Sequence, residues 1–133
     1  MLLTGILFSC EKEAADPEKL GQNAGILGTW VEAGQDAGRM WLSRSGELDP
    51  DRYGFILRED GTFIEHKNAG WCGTPPITYA EYEGSWLALS DSLLEVTVGY
   101  WGGTMTYQMR IVSLDEEQLS IRYLYGEDWA TAR

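Results

Sequence analysis

Short runs of alternating apolar and polar residues constrain the fold of this chain more than any other feature. The clearest run is 105–111, where Met, Tyr, Met and Ile alternate with Thr, Gln and Arg. Leu94, Val96 and Val98 follow the same rule, with Glu95 and Thr97 between them. Successive side chains of a strand point to opposite faces, so a period of two predicts a strand with one buried face. These segments therefore predict half-buried β-strands with the apolar row inward.

Turn signals separate these runs. Asp60-Gly61 lies between two β-rich runs within residues 53–66, and Asp-Gly is a strong hairpin signal. Residues 39–51 hold several charges with glycine and proline, which predicts a long loop, and residues 68–76 hold two adjacent prolines, which predicts another. No long helical pattern separates the strands, and parallel βαβ units are therefore excluded.

The fold class predicted from this pattern is all-β. The expected architecture is an antiparallel up-and-down meander of seven to eight strands closed into a barrel, because closure removes the two exposed edges of an open sheet. A small β-sandwich is the alternative. A chain of 133 residues, 44% of them hydrophobic, is long enough for one domain with a sizeable core.

The N-terminus has the character of an address signal. Residues 1–8 are mostly apolar, but a bilayer-spanning helix needs about 20 residues. Leu7-Phe8-Ser9-Cys10 resembles the bacterial lipobox, in which the cysteine is acylated and becomes the new N-terminus. No Lys or Arg precedes the apolar run, so either the true start lies upstream, which we favour, or the signal is degenerate.

This resemblance divides the chain into four parts. Residues 1–9 are expected to be the end of a signal peptide, residues 10–25 the lipidated Cys10 with a flexible tether, residues 26–126 the barrel and residues 127–133 a tail. If Cys10 carries lipid, Cys72 has no partner in the chain, because these are the two cysteines. Cys72 is then predicted to be buried, with a free thiol as the alternative.

The motifs of the predicted meander resemble, in their order, those of the lipocalin-like lipoproteins of Bacteroidetes. Gly28-Thr29-Trp30 is similar to the lipocalin Gly-x-Trp motif, and Asp60-Gly61-Thr62-Phe63, Gly84-Ser85-Trp86 and the closing Leu119, Ile121 and Tyr123 follow it. The resemblance covers residues 27–125 and implies structural roles for Gly28 and Trp30, with Trp30 at the closed end of the barrel. It also implies that an arginine of the last strand packs across the ring of Trp30. Arg122 is the candidate, and a solvent-facing Arg122 is the alternative.

Several function classes find no support. A net charge of −11 repels phosphate backbones, so nucleic acid is not an expected partner. His66 is the only histidine, so no metal site built from several histidines can form, and no cofactor is expected. The sequence contains no nucleophile elbow, P-loop or dinucleotide fingerprint, and we predict that the protein is not an enzyme.

Two potential catalytic pairs also have simpler interpretations. His66 and Cys72 are a conceivable nucleophile pair, but a partly exposed loop histidine is the favoured interpretation. Glu81 and Glu83 share one strand face and are predicted to face water.

The tryptophans and tyrosines of the second half predict either a packed core or the lining of a ligand cavity, and two functions are considered. The first is a lipid-anchored cell-envelope protein, with the outer membrane as the expected location and its periplasmic or surface face left open, whose barrel binds a small apolar or amphipathic ligand. The alternative is a filled barrel that binds a partner protein through its loops, with Trp41, Trp71 and Trp101 as anchors. The candidate ligand-binding residues are Trp86, Met105, Tyr107, Met109 and Tyr123.

Overall fold

The computed structural model describes residues 17–68, 79–100 and 102–124, and in these residues eight antiparallel strands close into a barrel. This confirms the all-β barrel and excludes the small sandwich. The strands are β1 Gly28–Asp36, β2 Arg39–Ser45, β3 Gly54–Leu57, β4 Thr62–Asn68, β5 Tyr79–Ser90, β6 Leu93–Tyr100, β7 Gly103–Leu114 and β8 Gln118–Leu124. The positions Cys10, Trp71, Cys72 and Trp101, the signal segment 1–9 and the tail 127–133 lie outside the described residues.

The order of strands around the barrel departs from a pure meander at one connection. From β3 to β8 each strand pairs with the next, as predicted. β1, however, pairs antiparallel with both β2 and β3, so β2 and β3 run parallel to each other with β1 between them. The crossover connection, residues 46–53, must therefore return along β1 before β3 begins.

The crossover connection packs closely at its end. A Cβ atom at Gly54 would lie 3.0 Å from Leu48 Cδ2 and 2.6 Å from the Trp30 carbonyl oxygen. Only glycine leaves room for the crossover connection and the backbone of β1 at this position. Beside it, the Glu32 amide donates to the carbonyl of Tyr53, which ties the connection to β1.

β2 corrects the prediction of a loop over residues 39–51. Met40 and Leu42 are buried and Trp41 between them is only partly buried, so the segment has the period of a strand. Ala37 and Gly38 both have positive φ, at 53° and 81°, as the two-residue turn of a twisted hairpin requires. The charge of Arg39 suggested a loop, but this side chain lies at the strand start, on the face opposite Met40.

The N-terminal segment Pro17–Ile26 is a 3₁₀ segment with a break at Gly21, and it closes one end of the barrel. Leu20 and Ile26 are fully buried in the core. Asn23 Nδ2 donates a 2.6 Å hydrogen bond to the carbonyl of Asp91, in the turn between β5 and β6. We call Pro17–Ile26 the plug segment, and the two ends of the barrel the plug end and the far end.

The plug segment corrects two sequence predictions. The flexible tether was expected to run to residue 25 and the folded domain to begin at residue 26, whereas the described fold already begins at Pro17. Two apolar side chains, Leu20 and Ile26, account for the difference, because each removes its whole surface from water. Residues 10–16 lie outside the described residues.

The core is formed by the inward rows that the alternation predicted. Leu94, Val96 and Val98 of β6 are buried, as are Tyr107, Met109 and Ile111 of β7 and Leu119 and Ile121 of β8. Among the described residues, no helix combines the length and apolar character that crossing a membrane would require.

Gly84, which the sequence suggested as a bulge or bend, is a point of close strand approach. It pairs in register with Phe63 of β4 and Val98 of β6, and the register shift of β5 lies instead between Ala88 and Ser90. A Cβ atom at Gly84 would lie 2.1 Å from the carbonyl oxygen of Thr97. The contact between β5 and β6 therefore depends on the absence of a side chain here.

Candidate functional site

The plug end carries the arginine–tryptophan contact that the lipocalin resemblance implied, but with a different arginine. The guanidinium carbon of Arg44, at the end of β2, lies 4.2 Å from the centroid of the Trp30 ring. Arg122 is exposed on β8 and donates a 3.3 Å hydrogen bond to the carbonyl of Ala37 at the far end. The candidate role of Arg122 is therefore wrong, and its solvent-facing alternative is correct.

Arg44 links three parts of the chain through its guanidinium group. Its Nε donates to the Glu116 carbonyl at 2.9 Å, Nη1 donates to the Leu27 carbonyl at 3.1 Å, and Nη2 donates to the carbonyl of Gly25. The Trp30 ring below it is fully buried, and its Nε1 donates a 2.8 Å hydrogen bond to the Ile26 carbonyl. Because backbone carbonyls accept from all three guanidinium nitrogens, Arg44 joins the end of β2 to the plug segment and to the turn between β7 and β8.

The far half of the barrel interior holds a polar group of side chains, which we call the tyrosine–glutamate cluster. Its members come from the strand segments next to the far end: the residue before β3, two residues of β4, and one residue each of β7 and β8. The cluster consists of Tyr53, Glu65, Lys67, Tyr107 and Tyr123.

The carboxylate of Glu65 is the centre of this cluster. Its Oε2 accepts hydrogen bonds from the hydroxyls of Tyr53, at 2.5 Å, and Tyr107, at 2.9 Å. Its Oε1 accepts from the Lys67 ammonium at 2.7 Å. Only 4% of the residue is exposed. A carboxylate withdrawn from water is costly unless it is hydrogen-bonded, and these three donors offset that cost.

Tyr53 links the carboxylate to a third tyrosine. Its hydroxyl donates to Glu65 and accepts a 2.6 Å hydrogen bond from Tyr123. Burial raises the pKa of Tyr53 well above its ordinary value, and the neighbouring Tyr107, Tyr123 and Glu65 raise that pKa further. Tyr53 is therefore protonated at neutral pH and remains a donor to the carboxylate.

Aromatic rings surround the hydrogen-bonded atoms. The rings of Tyr53 and Tyr123 meet edge to face with centroids 6.3 Å apart, and those of Tyr107 and Tyr123 do so at 5.4 Å. The Lys67 ammonium also lies 5.2 Å from the ring centroid of Tyr82 on β5. The cluster therefore combines a fixed negative charge with π faces, which is the chemistry that recognises positively charged groups.

The structure distributes the predicted ligand-binding residues over both halves of the barrel. Tyr107 and Tyr123 belong to the cluster, and the partly buried Met105 packs against the core. Met109 is fully buried in the core, and Trp86 is buried with its Nε1 donating a 2.8 Å hydrogen bond to the Arg58 carbonyl, near the turn before β4. The Trp86 indole therefore bonds towards the plug end, although Trp86 and Tyr107 are both register partners of Val96.

Sequence reasoning missed Tyr53, Glu65 and Lys67. The signal for Glu65 was present, because residues 62–65 break the apolar alternation. Phe63 and Glu65 share one face of β4, and the structure shows that this is the buried face. A charged residue on an inward row is a candidate for a functional group, but the distant tyrosines that satisfy it cannot be read from one strand.

The remaining titratable candidates lie on the outside of the barrel. His66 is a strand residue of β4 and only 7% exposed, which corrects the prediction of a partly exposed loop histidine. The crossover connection covers it, since His66 Nε2 lies 3.2 Å from the Pro50 carbonyl, and the ring stacks on Tyr79 with centroids 5.3 Å apart. Glu81 and Glu83 are exposed on β5, as predicted.

Two open hollows on the described surface lie away from the cluster. One, of about 480 Å³, borders Gly25, Arg44 and Leu114 at the plug end. The other, of about 300 Å³, borders Gly34, Arg52 and Tyr79. Within the described ranges, no group of three or more His, Cys, Asp or Glu side chains is placed to hold a metal ion.

Comparison with known proteins identifies no relative of this chain. No family model matches the chain, and neither a curated protein nor a solved structure matches it significantly.

Proposed function

We propose that this chain is a lipid-anchored protein of a bacterial cell envelope whose barrel interior binds a small amphipathic molecule. The observation that carries the binding part is the tyrosine–glutamate cluster. Glu65 and three tyrosine hydroxyls lie inside a barrel whose other interior side chains are mostly apolar. Binding sites for small molecules commonly combine apolar walls with a few convergent polar groups.

The anchoring part rests on the sequence. Cys10 ends an apolar run that resembles a lipobox, and six residues, 11–16, separate it from the plug segment. A chain extends at most about 3.5 Å per residue, so this linker would hold the barrel within a few tens of ångströms of the membrane. Acylation of Cys10 would provide the anchor. Stable attachment to a membrane needs more than one acyl chain, so we expect Cys10 to carry more than one.

A partner-binding function remains the second candidate, and one contact favours it. Trp41 is partly buried on the outer side of β2, with the Arg39 guanidinium carbon 4.6 Å from its ring centroid. An accessible tryptophan held by an arginine is a typical anchor of a protein interface. Loss of partner capture in Trp41→Ala, with ligand binding unchanged, would favour this function.

We expect acylation at Cys10. In cells that express the full chain and process bacterial lipoproteins, a clickable fatty-acid analogue should label the wild type and leave Cys10→Ala unlabelled. Cys72→Ala is the matched control and should be labelled like the wild type. Equal labelling of Cys10→Ala and the wild type would contradict the anchor.

We expect an environment-sensitive apolar dye to bind the Cys10→Ala chain, and Tyr107→Arg to weaken that binding at least about tenfold, because it adds a charge to a buried wall. Thr106→Arg is the control, since Thr106 is exposed on the opposite face of β7. Dye fluorescence measures affinity, and circular dichroism verifies the fold. Met105→Arg replaces Tyr107→Arg if the latter unfolds. Dye affinity unchanged in a folded variant would contradict an interior site.

A further inference from the structure

We infer that the barrel interior selects ligands with a positively charged amine head group, with Glu65 as the recognising charge. This inference rests on the proposed interior site and specifies the class of its ligand. It starts from a contact already present in the molecule: the ammonium of Lys67 lies 2.7 Å from Glu65 Oε1 and 5.2 Å from the ring centroid of Tyr82. The cluster therefore already binds one ammonium group, which the chain itself supplies.

The two charges of this pair differ in how firmly they are held. The Glu65 side chain is 5% exposed and is fixed by the hydroxyls of Tyr53 and Tyr107. The Lys67 side chain is 18% exposed, and a flexible four-carbon stem carries its ammonium group. The ammonium can withdraw to water without breaking the barrel, whereas the carboxylate cannot. A ligand that replaces Lys67 therefore meets a fixed negative charge.

The fixed charge determines the sign of the ligand. An anionic head group would have to lie beside a carboxylate that water does not screen, which is costly at short distance. An ammonium would instead take over the hydrogen bond to Glu65 and the ring of Tyr82, and cation–π contacts with tyrosine favour it further. The chain as a whole, with a net charge of −11, also attracts cations.

The geometry also orders the ligand within the barrel. Below the cluster, towards the plug end, the interior consists of apolar side chains such as Phe55, Phe63 and Met109, all fully buried. Lys67, on the other side of Glu65 along β4, is closer to the far end. We therefore expect an alkyl amine to place its head group at Glu65 and its chain along the partly buried Met105 and Tyr82, toward the far end.

The test compares three probes of equal chain length, decylammonium, decanol and decanoate, as competitors of the apolar dye on the Cys10→Ala chain at neutral pH. We expect decylammonium to bind at least about tenfold more tightly than decanoate, with decanol between them. Glu65→Gln keeps an acceptor for the tyrosines and should remove this preference. Glu81→Gln changes the same charge on the exposed face of β5 and should preserve it.

A second variant tests the exchange of ammonium groups. Lys67→Met removes the internal competitor, and we expect it to raise the ratio of decylammonium affinity to decanol affinity at least about tenfold. If Glu65→Gln does not fold, this variant decides the matter alone. Decanoate bound as tightly as decylammonium, a preference that survives Glu65→Gln, or an unchanged ratio of decylammonium to decanol affinity in Lys67→Met would each overturn the inference.

Failure of the inference and failure of the proposed site give different results. If all three probes bind the wild-type barrel equally, the interior site stands and its preference for amines is wrong. If none of the probes and no dye binds either the wild type or Lys67→Met, the proposed interior site is wrong, and the inference with it.

Discussion

Replacing Trp30 with alanine should destabilise the protein by about 3–5 kcal/mol, the range found when a large aromatic side chain is removed from a core. The ring is fully buried, and it contributes more than its area. Its Nε1 donates to the Ile26 carbonyl, and its face supports the guanidinium of Arg44. Removing it therefore weakens the attachment of both the plug segment and β2 to the plug end.

The measurement is chemical denaturation followed by circular dichroism, with two comparison variants. Trp30→Phe retains a ring for Arg44 and should lose clearly less stability. Trp41→Ala removes the same side chain from a partly buried outer position and should cost no more than about 1.5 kcal/mol. A cost for Trp30→Ala below about 1 kcal/mol would contradict its place at the closed end of the barrel.

Gly84→Ala should be at least as damaging, with an expected loss of about 3 kcal/mol or more, because the added methyl group meets backbone rather than a movable side chain. Its Cβ atom would lie 2.1 Å from the Thr97 carbonyl oxygen and 2.7 Å from the Cα of Val98. Relief requires β5 and β6 to separate, which breaks their hydrogen bonds and opens the core beside Trp86 and Val96, register partners on the same two strands.

Gly99→Ala is the matched control for this prediction. Gly99 lies on β6, and its added Cβ atom would be 3.6 Å from the Gly103 carbonyl oxygen, which is an ordinary contact. We expect the free energy of unfolding of Gly99→Ala to lie within about 1 kcal/mol of the wild-type value. Equal stability of the Gly84→Ala and Gly99→Ala variants would show that the strands separate here without cost, against the geometry.

The strands of the second half were predictable because their apolar side chains alternate with polar ones and lie inside, although Gln108 and Ser120 on the opposite face are buried as well. Leu94, Val96 and Val98 show this well, since each lies inside and the residues between them are more exposed. β2 was missed because charges at both ends outweighed the short Met40–Leu42 alternation, and its Ala37-Gly38 turn lacks the usual Asn or Asp. The plug segment was missed because most of its residues are polar or small, and its two buried side chains, Leu20 and Ile26, form no periodic pattern.

The candidate site was predictable only in part, for a physical reason. Tyr107 and Tyr123 follow from the inward rows of β7 and β8. The acceptor of the Tyr107 hydroxyl, Glu65, is 42 positions away in the chain, and the two meet only because the strands between them pair in a particular register. The contact of Arg44 rather than Arg122 with Trp30 is local, because the β1–β2 hairpin pairs Trp30 directly with Arg44.

The crossover connection between β2 and β3 has a consequence for assembly. Because these strands are not neighbours, the chain pairs locally in two blocks, the hairpin β1–β2 and the run β3–β8. Two seams join the blocks, and the β2–β8 seam pairs residues as distant in sequence as Leu42 and Leu119. Such non-local pairing carries the larger loop-closure cost and forms late.

Until those seams close, β1 and β2 of the first block and β3 and β8 of the second are open edges with unpaired backbone groups. An open edge of this kind can pair with a strand of another molecule as readily as with its partner strand in the same chain. Exchange of the β1–β2 hairpin between two chains, with residues 46–53 as the hinge, is therefore the misassembly to which this topology is most exposed. Refolding at low protein concentration favours the closed monomer over such a swapped dimer.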